Sequence, residues 1–219
     1  MPTVFITGAR AGLGLEFAHQ YAEAGWRVIA PGRQECDVID MASIGTFIST
    51  LGEAPIDLLI NNAGVRNAHP SGSKLGEFTL EGWLPSLTVN VVGPALVTQA
   101  LLPNLMRGDM KRVVTLSSRL GSIAGGGGSN SGGGGSSYYA YRASKAALNQ
   151  VNNCLSIDLG PRGFTCVVVN PGWVQTRMGG ANATMSPADS IAQMRRLIDG
   201  LKPDDNGKFI DANGAIIPW

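Results

Sequence analysis

"TVFITGARAGLGLEFAHQYAEAGWRVIA", Thr3 to Ala30, holds a complete structural unit in 28 residues. It opens on "TVFITG", a short apolar and β-branched run without alternation, the pattern of a strand buried on both faces. A glycine-rich turn follows. Leu13, Phe17, Tyr21 and Ala24 then recur at helical spacing until Gly25 stops the helix. "WRVIA" reads as a second buried strand, so the stretch as a whole is one βαβ unit.

Outward from this unit the alternation continues. "CDVID" reads as a short strand, "IDLLINNAG" as a strand, and "TLEGWLPSLTVNVVGPALVTQALLPNLM" as one long helix opened by Thr79. After these come the strand "KRVVTLSS", the helix "YRASKAALNQVNNCLSIDL", the strand "FTCVVVNPG", a helix over Pro187 to Asp199 and a last strand, "GKFIDA". Strands alternating with helices predict an α/β fold, a doubly wound parallel sheet with helices on both faces. Only about five residues separate the second strand from "CDVID", where a parallel crossover needs a dozen or more, so this crossover is shortened and an edge helix is missing.

Composition narrows the function. The 219 residues carry 17 basic and 16 acidic side chains with no Lys/Arg run, which argues against a nucleic-acid partner. Cys36, Cys154 and Cys166 have neither CxxC nor Cys/His ligand spacing and are expected to be reduced packing residues; His19 and His69 stand alone, so no metal site is expected. The amino-terminal "PTVFITG" has no basic n-region, and no segment runs to roughly 18 apolar residues. A cytoplasmic, soluble protein without membrane contact is the expectation.

Two motifs carry chemistry. "TGARAGLG" places Gly8, Gly12 and Gly14 between strand and helix, where glycines permit a tight turn and close approach of backbone to a pyrophosphate on the helix N-terminus, with Leu13 in the first helical turn. Tyr141 has Lys145 four residues later, one face of a helix, so an ammonium can stand near the phenol and lower its pKa toward working pH. That suits Tyr141 to general acid/base work on a carbonyl or alcohol.

The GxxxGxG spacing of "TGARAGLG", with "NNAG" at Asn61 to Gly64 and "YRASK", resembles the short-chain dehydrogenase/reductases, in the right order over essentially the whole chain. "GSIA", "YRASKAALN" and the ending "GKFIDANGAIIPW" are most similar to the C-factor-like and sniffer-like carbonyl reductases of that family. The resemblance implies a single NAD(P)-binding Rossmann-type domain over residues 1–219 and a homodimer or homotetramer built on the two long helices. It implies that Ser118 hydrogen-bonds the substrate oxygen, with Ser117 and then Ser122 as alternatives, and that Asn90 opens the helix and supports a water-linked proton relay to Lys145. Asn62, Ala63 and Gly64, together with Pro171, Gly172, Val174 and Thr176 of "NPGWVQTRM", would line the cofactor, with Tyr141 and Lys145 also touching it; Asp37 would contact adenine.

Cofactor choice is expected at the end of the second strand, where an acidic residue pairs with the ribose of NAD. Here that position is Gly32, followed by Arg33, and Arg10 adds a second guanidinium from the glycine turn, so NADP is favoured over NAD. The implied reaction interconverts a ketone or aldehyde and an alcohol. A nucleotide-binding regulator of the same fold is the alternative. The tract "GGGGSNSGGGG", within a loop over residues 121–139, lies between Ser118 and Tyr141 and is expected to be a mobile loop over the active-site mouth; closure cost rises slowly with loop length.

Overall fold

The structure, a computed structural model, describes residues 1–66, 75–124 and 138–219. Six strands form one parallel sheet: β1 (Thr3–Ile6), β2 (Arg27–Ile29), β3 (Leu58–Asn61), β4 (Arg112–Leu116), β5 (Thr165–Asn170) and β6 (Phe209–Asp211), in the order β2-β1-β3-β4-β5-β6. The apolar runs form central strands because alternate side chains serve two cores. Val4, Ile6, Leu58, Ile60, Val114 and Val167 enter one cluster with Phe17 and Tyr21 of helix α1 (Gly12–Glu23) and Ile191 and Ile198 of α6 (Pro187–Asp199). Phe5, Leu59, Val113 and Cys166 enter the other, with Ile44 of α2 (Met41–Ser49), Val97, Leu101 and Leu105 of α4 (Gly93–Arg107) and Leu159 of α5 (Tyr139–Leu159). Each large apolar side chain so buried contributes about 1.5–3 kcal/mol.

Two expectations change at the β2 edge. β2 is not buried on both faces: it is the edge strand, with Arg27 exposed and Val28 and Ile29 half-buried. "CDVID" is not a strand. Asp37 Oδ1 accepts from Ile39 N (3.3 Å), and Asp40 Oδ1 accepts from Ala42 N (2.9 Å) and Ser43 N (3.3 Å) to cap α2. These carboxylates satisfy local N–H groups, and such bonds compete with a sheet ladder. The crossover is short in that it holds one 9-residue helix, and the sheet ends at β2 for want of a further strand.

The helix opened by Thr79, whose Oγ1 accepts from Gly82 N at 3.1 Å, is α3 (Leu80–Leu87), a π-helical turn (Thr88–Val92) and α4 in continuous succession. The run Leu80–Arg107 has a mean hydropathy of 1.3 and is long and apolar enough to cross a membrane by length and composition. In this fold Val97, Leu101 and Leu105 spend that apolarity on the sheet. The strand order reverses at β1 and β3, and the crevice beyond their carboxyl ends is where open α/β sheets bind ligands.

Candidate active site

Four predicted catalytic side chains meet beyond the carboxyl ends of β3 and β4. Ser118 follows β4, begins a short 3₁₀ turn (Arg119–Gly121) and hydrogen-bonds the Tyr141 phenol. Lys145, one turn along α5 from Tyr141, is buried, donates from Nζ to Leu116 O at 2.8 Å and lies 5.9 Å from the Tyr141 ring centroid. Asn90 sits fully buried in the π-helical turn. Its Nδ2 donates to Val65 O and Ser144 Oγ (both 2.9 Å), and its Oδ1 accepts from Val65 N at 2.8 Å. The wide turn is what lets an amide in an otherwise apolar helix leave the helix and satisfy another segment's backbone. Asn90 Oδ1 and Lys145 Nζ both stand next to Gly64, 3.3 and 3.7 Å from where a Cβ there would be.

The alternatives for Ser118 are occupied elsewhere. Ser117 donates to Asn149 Oδ1 at 2.7 Å inside the core, and Ser122 donates to Pro218 O at 2.6 Å, tying down the carboxyl terminus. The turn that carries Ser118 is clasped to β6: Arg119 Nη2 and Asn170 Nδ2 both donate to Asp211 Oδ2 (2.6 and 2.9 Å), and Arg119 N donates to Asn170 Oδ1 (3.0 Å).

The electrostatics differ from the expectation that Lys145 pulls the phenol down. Burial pushes the Tyr141 phenol above its ordinary value, outweighing the hydrogen bond from Ser118 and the Arg66 charge, which act the other way. Burial also lowers the Lys145 ammonium to about 8, and its proton is spent on the Leu116 carbonyl. At neutral pH the phenol therefore carries its proton, the form that can donate.

The glycine turn fits a pyrophosphate. Gly8 and Gly12 have φ of +67° and +57°, in the left-handed region that favours glycine. At Gly14 a Cβ would fall 2.5 Å from Gly8 O and 2.9 Å from Ala9 Cα, and closer still to the Asn62 amide, so only glycine lets α1 seat this tightly. Asn62 locks the turn by donating from Nδ2 to Thr7 O (2.8 Å) and Gly8 O (3.2 Å), while Thr7 Oγ1 accepts from Asn62 N and Ala63 N (both 3.0 Å). The N-terminus of α1, at Gly12 and Leu13, has no side-chain cap. Its free N–H groups are a donor set suited to a phosphate oxygen.

On the far side of the crevice, Pro171 O accepts from Ser190 Oγ at 2.7 Å, Gly172 takes φ +83°, and Val174 bridges to Met185. Thr176 Oγ1 accepts from Gly179 N at 3.0 Å, and its methyl faces Gly12 across the crevice, 3.7 Å from a Cβ built there. The β5 segment and the glycine turn thus face each other as a dinucleotide site requires.

The two arginines expected to select the cofactor are not free. Arg10 Nη2 pairs with Glu35 Oε2 at 2.8 Å, and Arg33 Nε pairs with Asp37 Oδ2 at 2.9 Å. Glu35 is held below the usual carboxylate range, first by Gly32 N–H and then by Arg10. Asp37, expected at the adenine, is bound to Arg33 and to its own turn.

The sequence points to Tyr138, Tyr139 and the segment after Asn62 as pocket wall, but not to Arg66, Phe78 or Trp83 by residue. Arg66 donates from Nη2 to Met178 O, and its guanidinium lies 5.3 Å from the centroid of the Tyr138 ring. Phe78 meets Trp83 and Tyr139 edge to face, at 5.5 and 5.0 Å between centroids. The one signal for Arg66 was a cation directly after "NNAGV" with no acidic residue before Glu77. Among the described residues no three His, Cys, Asp or Glu side chains gather as a metal site would require. Cys36 and Cys166 are buried as expected, whereas Cys154 is exposed. The proposed mobile loop falls chiefly on residues 125–137, outside the described residues.

A glycine-cradled nucleotide crevice joined to a Ser-Tyr-Lys-Asn cluster defines a dehydrogenase of the Rossmann class. The chain belongs to the short chain dehydrogenase family, whose pattern it matches over residues 33–186. It is 44% identical over 173 residues to the C-signal of Myxococcus xanthus, covering 79% of this chain and 98% of that protein. The carbonyl reductase Sniffer of D. melanogaster superposes with a TM-score of 0.82 at 26% identity over 100% of both chains. An NADPH-bound carbonyl reductase from chicken fatty liver gives 0.84 at 26% identity, over 100% of this chain and 99% of that one.

Proposed function

We propose that the protein is an NADP(H)-dependent oxidoreductase that interconverts a ketone or aldehyde and an alcohol, with Tyr141 as general acid/base. The observation that carries this reading is the Ser118–Tyr141 hydrogen bond above a buried Lys145. When bound across Gly8–Gly14 and Pro171–Thr176, the nicotinamide cofactor supplies or accepts the hydride. Ser118 Oγ and the Tyr141 phenol hold the substrate oxygen between them. Tyr141, protonated at neutral pH, donates to that oxygen in the reductive direction, and proton delivery of this kind contributes about 10²- to 10⁴-fold. Lys145 and Asn90, meeting at Gly64, return the proton through water. Arg10 and Arg33 turn from their carboxylate partners to a 2′-phosphate, which selects NADP over NAD. We take the chain to be one soluble, cytoplasmic domain over residues 1–219, assembling as a homodimer or homotetramer through α4 and α5, with no membrane or nucleic-acid partner.

The similarity to a protein named C-signal favours a second reading, a nucleotide-binding signalling protein. Tyr141→Phe separates the two. Loss of NADPH-dependent reduction of an aldehyde and ketone panel, with NADPH binding retained, supports the enzyme; undiminished turnover overturns the Tyr141 mechanism. A wild-type protein that binds NADPH yet turns over nothing in the panel favours the signalling reading.

A further inference from the structure

Arg66 has a place in the site and no acid to answer its charge. Its starting point is fixed, because Val65 is bound through both N–H and C=O to Asn90. From there the guanidinium crosses the crevice to the Met178 carbonyl beyond β5 and covers the ring of Tyr138, the residue that opens α5. Tyr138 holds φ +70°, a left-handed conformation costing a non-glycine residue about 1–2 kcal/mol, so the surface under Arg66 is set by the fold. Arg66 thus ties together the three segments that surround Tyr141, and its charge reaches the phenol.

Four arginines have carboxylate partners, Arg10 with Glu35, Arg33 with Asp37, Arg107 with Glu53 and Arg119 with Asp211, whereas Arg112 and Arg195 donate to backbone carbonyls away from Tyr141. Arg66 has none among the described residues, and residues 67–74 and 125–137 contain no Asp or Glu to supply one. A guanidinium has five N–H donors, and a neutral carbonyl takes one while leaving the charge uncompensated. Tyr139, next in the chain to the Tyr138 that Arg66 covers, meets Phe78, and Phe78 meets Trp83, whose Nε1 is buried without a hydrogen-bond partner among the described residues.

We propose that Arg66 binds an anionic group of the substrate, and that the preferred carbonyl compound is an oxo acid with an apolar or aromatic remainder. This rests on the carbonyl-reductase reading above. A carboxylate meets the guanidinium, the remainder lies against the aromatic side chains, and the carbonyl oxygen stays with Ser118 and Tyr141.

The test is NADPH oxidation with phenylglyoxylate against its uncharged methyl ester, beside a panel of neutral aldehydes and ketones. The acid is expected to have the higher kcat/KM. Arg66→Gln should lower the acid-to-ester ratio of kcat/KM by about 10- to 100-fold, mainly through KM, as for a lost charge-assisted hydrogen bond, and Arg66→Lys should restore part of it. A wild-type ratio below one, or an equal loss on both compounds in Arg66→Gln, overturns the inference and leaves Arg66 a loop clamp. Reduction of the neutral panel but not of phenylglyoxylate overturns it while sparing the parent reading. Failure of every substrate despite NADPH binding overturns the parent reading. If Arg66→Gln does not fold, benzoate should inhibit the wild type competitively against a neutral substrate and benzamide should not; equal inhibition by the two counts against the proposal.

Discussion

The two halves of the crevice are built on opposite principles. In the catalytic half, Asn90, Lys145 and Tyr141 are 0%, 5% and 7% exposed, and backbone or neutral side chains hold them. In the half proposed to select the cofactor, the Arg10 and Arg33 side chains are 72% and 80% exposed and are held by carboxylates. Buried hydrogen bonds fix geometry and shift proton affinities, whereas exposed ion pairs contribute little and are screened by salt. On the proposed reading, the groups around Tyr141 are preset, and cofactor choice would fall to charges that a phosphate can recruit by exchange.

The sharpest way to break this contrast is at Gly14, where the rigid architecture extends into the nucleotide half. Gly14→Ala drives a methyl into Gly8 O, Ala9 and the Asn62 amide. Overpacking of this kind should cost about 3 kcal/mol, a fall of roughly 10 °C in Tm, with NADPH binding lost in a fluorescence titration. Unchanged Tm and affinity would mean that the turn yields, and the nucleotide half would be as adaptable as its arginines. Next in size is Asn90→Leu, which strands the N–H and C=O of Val65 at about 2 kcal/mol. If Asn90 also serves the proton path, kcat falls and the pH–rate profile shifts; if Tm alone falls, Asn90 only supports structure.

The burial of Lys145 gives a prediction whose sign can be worked out. Its folded pKa is about 8 against 10.5, so between these values the unfolded chain binds the proton and the folded chain does not. Stability should then rise with pH, by about 1.4 kcal/mol per unit for one proton. Above pH 9 the opposite contribution sets in, because burial raises the thiols of Cys36 and Cys166, the latter to about 12, and above 10 the Tyr141 phenol adds to it. The clean window is pH 8 to 9 without cofactor. Urea unfolding should show the positive slope in the wild type and lose it in Lys145→Met; equal slopes would mean that Lys145 is hydrated and the catalytic half less closed than its geometry.

How far the sequence carries follows the same divide. "TVFI" and "TCVVVN" announce central strands because two cores demand apolar residues at successive positions, Val4 to Ile6 and Cys166 to Val167. "WRVIA" and "CDVID" have similar lettering but an edge and a turn as their outcome, which pairing partners and the Asp37 and Asp40 side chains decide. Tyr141 and Lys145 are legible from spacing, and their proton affinities are not, because burial depends on how the Ser118 turn packs against α5. There Gly121 lies so near the Lys145 backbone that a Cβ would approach it to 2.8 Å. Arg66 is marked in sequence only by its place after "NNAGV", and its contact is not legible because its partner Met178 lies 112 residues on.

The smallest expected effect sharpens the contrast most directly. Glu35 accepts from Gly32 N at 2.6 Å and from Arg10 at 2.8 Å, so in the unliganded chain a carboxylate stands where Arg10 would otherwise meet an incoming anion. Glu35→Gln keeps the side chain's length and an acceptor for Gly32 while removing the charge. It should leave Tm unchanged, since an exposed pair contributes little, and should raise the NADPH-to-NADH ratio of kcat/KM by about twofold to fivefold at low salt. The gain should shrink as ionic strength rises, because freed Arg10 acts through solvent. A ratio that does not move would assign 2′-phosphate recognition to Arg33 alone, and a ratio that falls would make the Glu35 carboxylate itself the group that aims Arg10 at the cofactor.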